Sequence, residues 1–199
     1  MWTKELLQET VQKRMSDYLL VIASNRQPYS HQLKAGKIVC VRQPGGLVTA
    51  LTPVMESVKG TWIAQGTSAY DRQAAGPNGK ISLPPEDPSY DLRRLFLSKK
   101  EEDDYYYGYA NQGLWPLSHM AYTRPLFLAS QWEAYKKVNR MYADAILKEV
   151  GNRKAFVWVQ DFHLTMVGKY LKEANRPNLI TSLFWHVPWP NSEIFRICP

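Results

Sequence analysis

The stretch that most constrains this chain runs from Ala155 to Pro199, AFVWVQDFHLTMVGKYLKEANRPNLITSLFWHVPWPNSEIFRICP. It holds two short apolar runs, Phe156 to Val159 and Leu179 to Trp185, rich in the β-branched and aromatic residues that suit a buried strand. Between them Leu164, Val167, Tyr170 and Leu171 recur at helical spacing, and Asn175-Arg176-Pro177 supplies a stop. A strand-helix-strand unit of this kind closes on a parallel sheet through a right-handed crossover. Its polar residues then gather where the strands end: Gln160, Asp161 and His163 after the first, His186 after the second. Ligands of an open α/β sheet bind at that carboxyl edge, so Asp161, His163 and His186 are expected to face one crevice.

The upstream sequence extends the same pattern. Tyr18 to Ala23 (YLLVIA) is a continuous apolar run, as in a buried parallel strand, and Thr61 to Gln65 (TWIAQ) reads as the second core strand. Parallel strands are therefore predicted near 19–23, 61–65, 156–160 and 179–185. Ile81 to Leu83 and Leu92 to Leu97, separated by a proline-rich break, predict an antiparallel edge. An amphipathic helix is expected over 4–15, with Leu6, Leu7, Val11 and Met15 on one stripe. Trp132 to Val150 is the clearest helical pattern, closed by Gly151-Asn152.

Three connections carry candidate chemistry. Ser24-Asn25-Arg26-Gln27-Pro28 leaves the first strand at its carboxyl edge, where Arg26 can present a two-pronged guanidinium to a phosphate. Gly45-Gly46 opens an amphipathic helix whose free N–H groups and positive dipole end can receive another, although a glycine pair alone is usually only a turn. The intervening Lys34 to Pro44 is expected to be a mobile loop over the crevice, and Gly66 to Asn78 a surface loop. Ser98 and Glu101 make a capping box that starts a further helix. Tyr105, Tyr106, Tyr107 and Tyr109 cannot all face the core from one helix, so at least one should point into the crevice.

Composition narrows the partners. A chain of 199 residues with 45% apolar and 22% charged residues suits one globular domain. The net charge of +7 comes from dispersed Lys and Arg, which argues against nucleic acid and fits small anionic substrates. No apolar run approaches the length of a membrane span and Met1 to Tyr18 is charged throughout, so no membrane association and a cytoplasmic location are expected. Cys40 and Cys198 have no metal-ligand spacing and are too few for a disulfide framework. Free thiols, no metal and no cofactor are the reading.

VWVQDFHL and FWHVPWPNSEIFR, with SNRQPY at Ser24 to Tyr29, GGL at Gly45 to Leu47 and NQGLWPLSH at Asn111 to His119, resemble in order the signature segments of the trehalose-6-phosphate synthase family. These are retaining glycosyltransferases of the two-domain GT-B fold. The resemblance implies a Rossmann-like three-layer α/β sandwich with a mainly parallel sheet, the acceptor-side half of that fold. On this reading residues 1–199 form one acceptor-binding domain, incomplete at its C-terminus, and the nucleotide-sugar-binding domain lies outside the chain. The implied reaction forms trehalose 6-phosphate from UDP-glucose and glucose 6-phosphate, with negligible turnover by this chain alone. Glycerol 3-phosphate as acceptor, or a non-catalytic sugar-phosphate-binding subunit, are the alternatives. The implied catalytic residues are Asp161 and His186. Arg26, Tyr106, Trp115 and Asp161 would bind the acceptor sugar phosphate, and Gly45, Gly46 and His186 the nucleotide-sugar donor. Tyr105, Tyr107 and Tyr109 are read as core packing. Gln160 stands where the family often has His, and Trp185 and Trp189 replace other apolar residues. Self-association through surfaces left uncovered is a corollary.

Overall fold

A computed structural model describes residues 3–199. In chain order its elements are α1 (Lys4–Met15), β1 (Tyr18–Ser24), β2 (Tyr29–Lys34), β3 (Lys37–Arg42), α2 (Gly46–Val58), β4 (Thr61–Gln65), α3 (Ala69–Ala74), β5 (Lys80–Leu83) and β6 (Tyr90–Leu95). Then follow α4 (Lys99–Glu102), a π-helix (Asp103–Leu114), α5 (Trp115–His119), α6 (Ala129–Val150), β7 (Lys154–Gln160), α7 (Val167–Glu173), β8 (Leu179–Phe184) and α8 (Ser192–Phe195).

Six strands form one sheet in the order β5-β6-β4-β1-β7-β8. All neighbours are parallel except β5 and β6, which pair antiparallel at one edge. The central apolar strands alternate between two cores. Val21, Ala23, Val157 and Val159 face Tyr135, Val138, Tyr142 and Ile146 of α6, while Leu20, Ile22 and Trp62 face Leu51 and Met55 of α2. Helices thus cover both faces, as the strand-helix-strand pattern requires, and the structure is the α/β sandwich read from the sequence.

Four expectations need correction. Lys34 to Pro44 is not a loop for most of its length: β2 and β3 pair as a hairpin from Tyr29↔Arg42 to Lys34↔Lys37, turning through Ala35 and Gly36 at φ 48° and 74°. Gly66 to Asn78 contains α3, started by a capping box between Ser68 and Asp71. The run at 179–185 is an edge strand, with Ile180, Leu183 and Phe184 exposed, because β8 has a neighbour on one side only. Tyr107 is 50% exposed, so it lies outside the core that Tyr105 and Tyr109 enter.

Candidate active-site cleft

The carboxyl ends of β1 and β7 are where the predicted residues come together. After β1 the chain is held from three directions. Trp62 Nε1 on β4 donates to Ser24 Oγ at 2.7 Å, Tyr142 on α6 donates to the Ser24 carbonyl at 3.0 Å, and Tyr105 donates to Asn25 Oδ1 at 3.0 Å. Ser24 Oγ in turn donates to the Arg26 carbonyl at 2.6 Å. The backbone beneath Arg26 is therefore fixed, while its guanidinium is exposed and has no hydrogen-bonding partner among the described residues.

The next turn is anchored more deeply. Gln27 donates to Asp71 Oδ2 at 2.7 Å and accepts from Arg94 Nε at 2.7 Å. Asp71 also receives the His31 amide and pairs with Arg94 at 3.2 Å, both side chains having no solvent exposure. Burial alone would raise the Asp71 carboxyl; the bonds from Gln27 and His31 and the Arg94 charge outweigh it and hold it below the ordinary range. This pin ties the hairpin to the sheet and so sets where Gly45 and Gly46 stand. Gly45 has φ 140°, open to glycine and strained for other residues.

At the end of β7, Asp161 has φ 70° and ψ 176°, a region that non-glycine residues almost never occupy. Its amide donates to the Phe184 carbonyl at 2.7 Å, and its Oδ1 accepts the His186 amide at 3.2 Å. His186 Nε2 meets Gln160 Oε1 at 2.8 Å. The amide oxygen can only accept, so His186 Nε2 is the donor in that bond.

Arg26, Gly45, Gly46, Tyr106, Asp161 and His186 line one cleft of about 260 Å³. Trp115 lines an adjoining recess with Arg26, Tyr106 and Asp161, its ring stacked on His119 at 4.2 Å. All seven singled-out residues are thus gathered at one place. His163 belongs there too: it stacks on Tyr106 at 5.3 Å, and its buried Nε2 has no partner. Burial, then the Arg26 charge, pushes its pKa down to about 3, so it is neutral at physiological pH. Asn111, in the recess with Trp115, had no reading beyond its motif. A helical period of 3.6 gave no reason to place it beside Tyr106.

A mainly parallel sheet covered by helices on both faces, with a cleft at the carboxyl ends of its strands, defines a Rossmann-like α/β fold. Residues 18–199 match glycosyltransferase family 20, and the chain belongs to that family. Its relatives include the trehalose-6-phosphate synthases of Mycobacterium sp. (strain KMS), 36% identical over 180 residues, and Mycobacterium ulcerans (strain Agy99), 35% identical over 181 residues. Each alignment covers 90% of this chain and 35% of the relative, so the chain spans about a third of their length. The fold matches that of an alpha,alpha-trehalose-phosphate synthase (UDP-forming) from Burkholderia vietnamiensis, with TM-score 0.70, 22% identity, and coverage of 91% of this chain and 35% of that one. It also matches a Burkholderia xenovorans synthase in complex with glucose-6-phosphate, with TM-score 0.68, 22% identity, and coverage of 89% and 35%. Among the described residues no helix is long and apolar enough to cross a membrane.

Proposed function

We propose that this chain supplies the acceptor side of a retaining glycosyltransferase that joins glucose from UDP-glucose to glucose 6-phosphate, giving trehalose 6-phosphate. The observation that carries the reading is Arg26: a guanidinium on a fixed backbone, unpartnered among the described residues, in a cleft shared with Tyr106, Asp161 and His186. A phosphate meets a charge-assisted fork there, and Tyr106 and Trp115 add a hydroxyl, an indole N–H and ring faces for the sugar.

In this reaction the bond between the donor's anomeric carbon and the diphosphate oxygen breaks, its electron pair leaving with the diphosphate. The acceptor hydroxyl oxygen bonds to the same carbon, and its proton passes to the departing phosphate. Asp161 orients that hydroxyl by accepting a hydrogen bond. His186 holds donor hydroxyls near the developing charge, and the N–H groups at Gly45 and Gly46 face the donor phosphates.

Arg26 is the single arginine or lysine lining the cleft among the described residues. One cation is little stabilisation for a departing diphosphate, and positioning two substrates contributes about 7–11 kcal/mol only when both are held. We therefore assign the donor's remaining grip to the length of the relatives that this chain does not span. Residues 1–199 are expected to bind glucose 6-phosphate and to release no UDP at an enzymatic rate. Calorimetric titration with glucose 6-phosphate and a coupled assay for UDP decide this. Absence of binding removes the reading; turnover that an Asp161→Ala control abolishes removes the inactivity.

A further inference from the structure

We infer that Asn111 is a further acceptor-binding residue, reading hydroxyls of the sugar ring, and that the π-helix exists at this place because it brings Asn111 and Trp115 round to the side of Tyr106. The inference rests on the acceptor reading above.

The segment Asp103–Leu114 is π-helical throughout, and the bond that closes it runs from the Trp115 amide to the Ala110 carbonyl, five residues back. Long π-helices are rare, and their shorter forms concentrate at functional sites. The consequence of the wider turn is visible on both sides. Its core face carries Tyr105, Tyr109, Ala110 and Leu114, at spacings of four and five residues. Its cleft face carries Tyr106 and Asn111, and Trp115 follows on the same side at the start of α5, again five and four apart. In an α-helix, at about 100° per residue, Asn111 would stand about 140° around the axis from Tyr106, and Trp115 about 180°. Neither could share a recess with it. Winding closed by bonds five residues back takes more than four residues per turn, so steps of four and of five both return to nearly the same side.

Asn111 is half-buried, and its amide has no hydrogen-bonding partner among the described residues. A side-chain amide offers two donors and one acceptor oxygen, the set that matches vicinal hydroxyls, each of which donates and accepts. The amide opens into the recess, so hydroxyls of a bound ligand can take the hydrogen bonds it otherwise makes to water. Phosphate, held at Arg26, needs no contact with Asn111. A hexose ring extending into the recess past Tyr106 toward Asp161 and Trp115 does. Asn111 thereby favours a ring-bearing acceptor over a bare phosphate.

The test uses the 199-residue chain and two probes, glucose 6-phosphate and inorganic phosphate, titrated into wild type, Asn111→Ala and Asn111→Ser. The expected result is a loss of about fivefold in glucose 6-phosphate affinity, the equivalent of one neutral hydrogen bond, with phosphate affinity unchanged. Asn111→Ser retains a hydroxyl and decides the matter if Asn111→Ala does not fold. Unchanged glucose 6-phosphate affinity, or an equal loss for both probes, overturns the inference while leaving the acceptor reading intact. Wild type binding neither probe overturns both.

Discussion

The backbone amide of His186 donates to Oδ1 of Asp161 at 3.2 Å, linking the residues that follow two neighbouring parallel strands. Asp161 can accept that bond only because its backbone takes a glycine-like conformation at φ 70°. The strain and the contact are two sides of one arrangement, and they separate in mutants. Asp161→Gly loses the carboxylate but relieves the backbone, whereas Asp161→Ala loses the carboxylate and keeps the strain. The glycine variant is expected to be the more stable of the two by about 1–3 kcal/mol in denaturant melts, with both impaired in acceptor binding. Equal stabilities would mean that Asp161 is unstrained.

Arg26→Ala is expected to weaken glucose 6-phosphate binding by about 1.5–3 kcal/mol, the range for a hydrogen bond to a charged group. Tyr106→Phe keeps the stack on His163 and removes only a hydroxyl, so its loss should be smaller, about 1 kcal/mol. Calorimetric titration of both variants gives the order. A larger effect for Tyr106→Phe would move the phosphate away from Arg26.

The π-helix approaches its neighbours closely at two glycines. A Cβ at Gly113 would lie 2.6 Å from the Phe127 ring and 2.9 Å from the Leu126 carbonyl, whereas one at Gly108 would meet only the flexible Gln131 side chain at 2.6 Å. Gly113→Ala should therefore destabilise by about 2–3 kcal/mol and Gly108→Ala by clearly less, as thermal melts of the two variants would read.

Asp71 and Arg94 form an ion pair with no solvent exposure, and Asp71 also receives amides from His31, Thr67 and Ser68. Asp71→Ala leaves a buried guanidinium uncompensated and is expected to cost about 3–5 kcal/mol. Because the folded carboxyl titrates below its unfolded value of 3.8, its contribution is complete above that pH and is lost as the pH falls through the folded value. Urea midpoints measured from pH 7 down to about pH 2 should show that loss set in below pH 3.8 in wild type and not in Asp71→Ala.

His163 acts on a different pH window. The unfolded chain takes up its proton near pH 6.5 and the folded protein only near 3, so acid favours the unfolded state throughout that interval. The penalty is about 1–2 kcal/mol by pH 5. His163→Phe, which cannot take up the proton, should show flatter stability between pH 6.5 and pH 4. An unchanged slope would place the sensitivity elsewhere.

Much of this architecture is legible in the sequence because it rests on periodicities that burial enforces. YLLVIA, TWIAQ and AFVWV lie in the middle of the sheet, and a strand covered on both faces has little room for polar side chains except at its ends, as at Thr61 and Gln65. Ser98 with Glu101 and the pattern from Trp132 to Val150 are equally direct, since caps and helix faces are local. Residues at the strand ends followed from the sheet: Arg26, Asp161 and His186 had to meet once β1, β7 and β8 were parallel neighbours. The hairpin at 29–42 is not legible in the sequence because its strands are mostly only partly covered, with no clean apolar alternation, and its Ala35-Gly36 turn lacks a strong hairpin dipeptide.

What only the tertiary structure decided is which faces a segment turns when its period is not its own. The residues from Asp103 to Leu114 carry four tyrosines that an α-helical reading could not sort, and their π-helical winding shows itself only with the helix packed against α6 and the cleft. That winding buries Tyr105 and Tyr109, exposes Tyr107, and puts Tyr106, Asn111 and Trp115 on one side. The backbone of Asp161 is a similar case, because no local preference of aspartate selects φ 70°; the bonds to Phe184 and His186 at the ends of adjacent strands hold it there. Local sequence determines conformations that are favourable on their own, and long-range contacts determine those that are not.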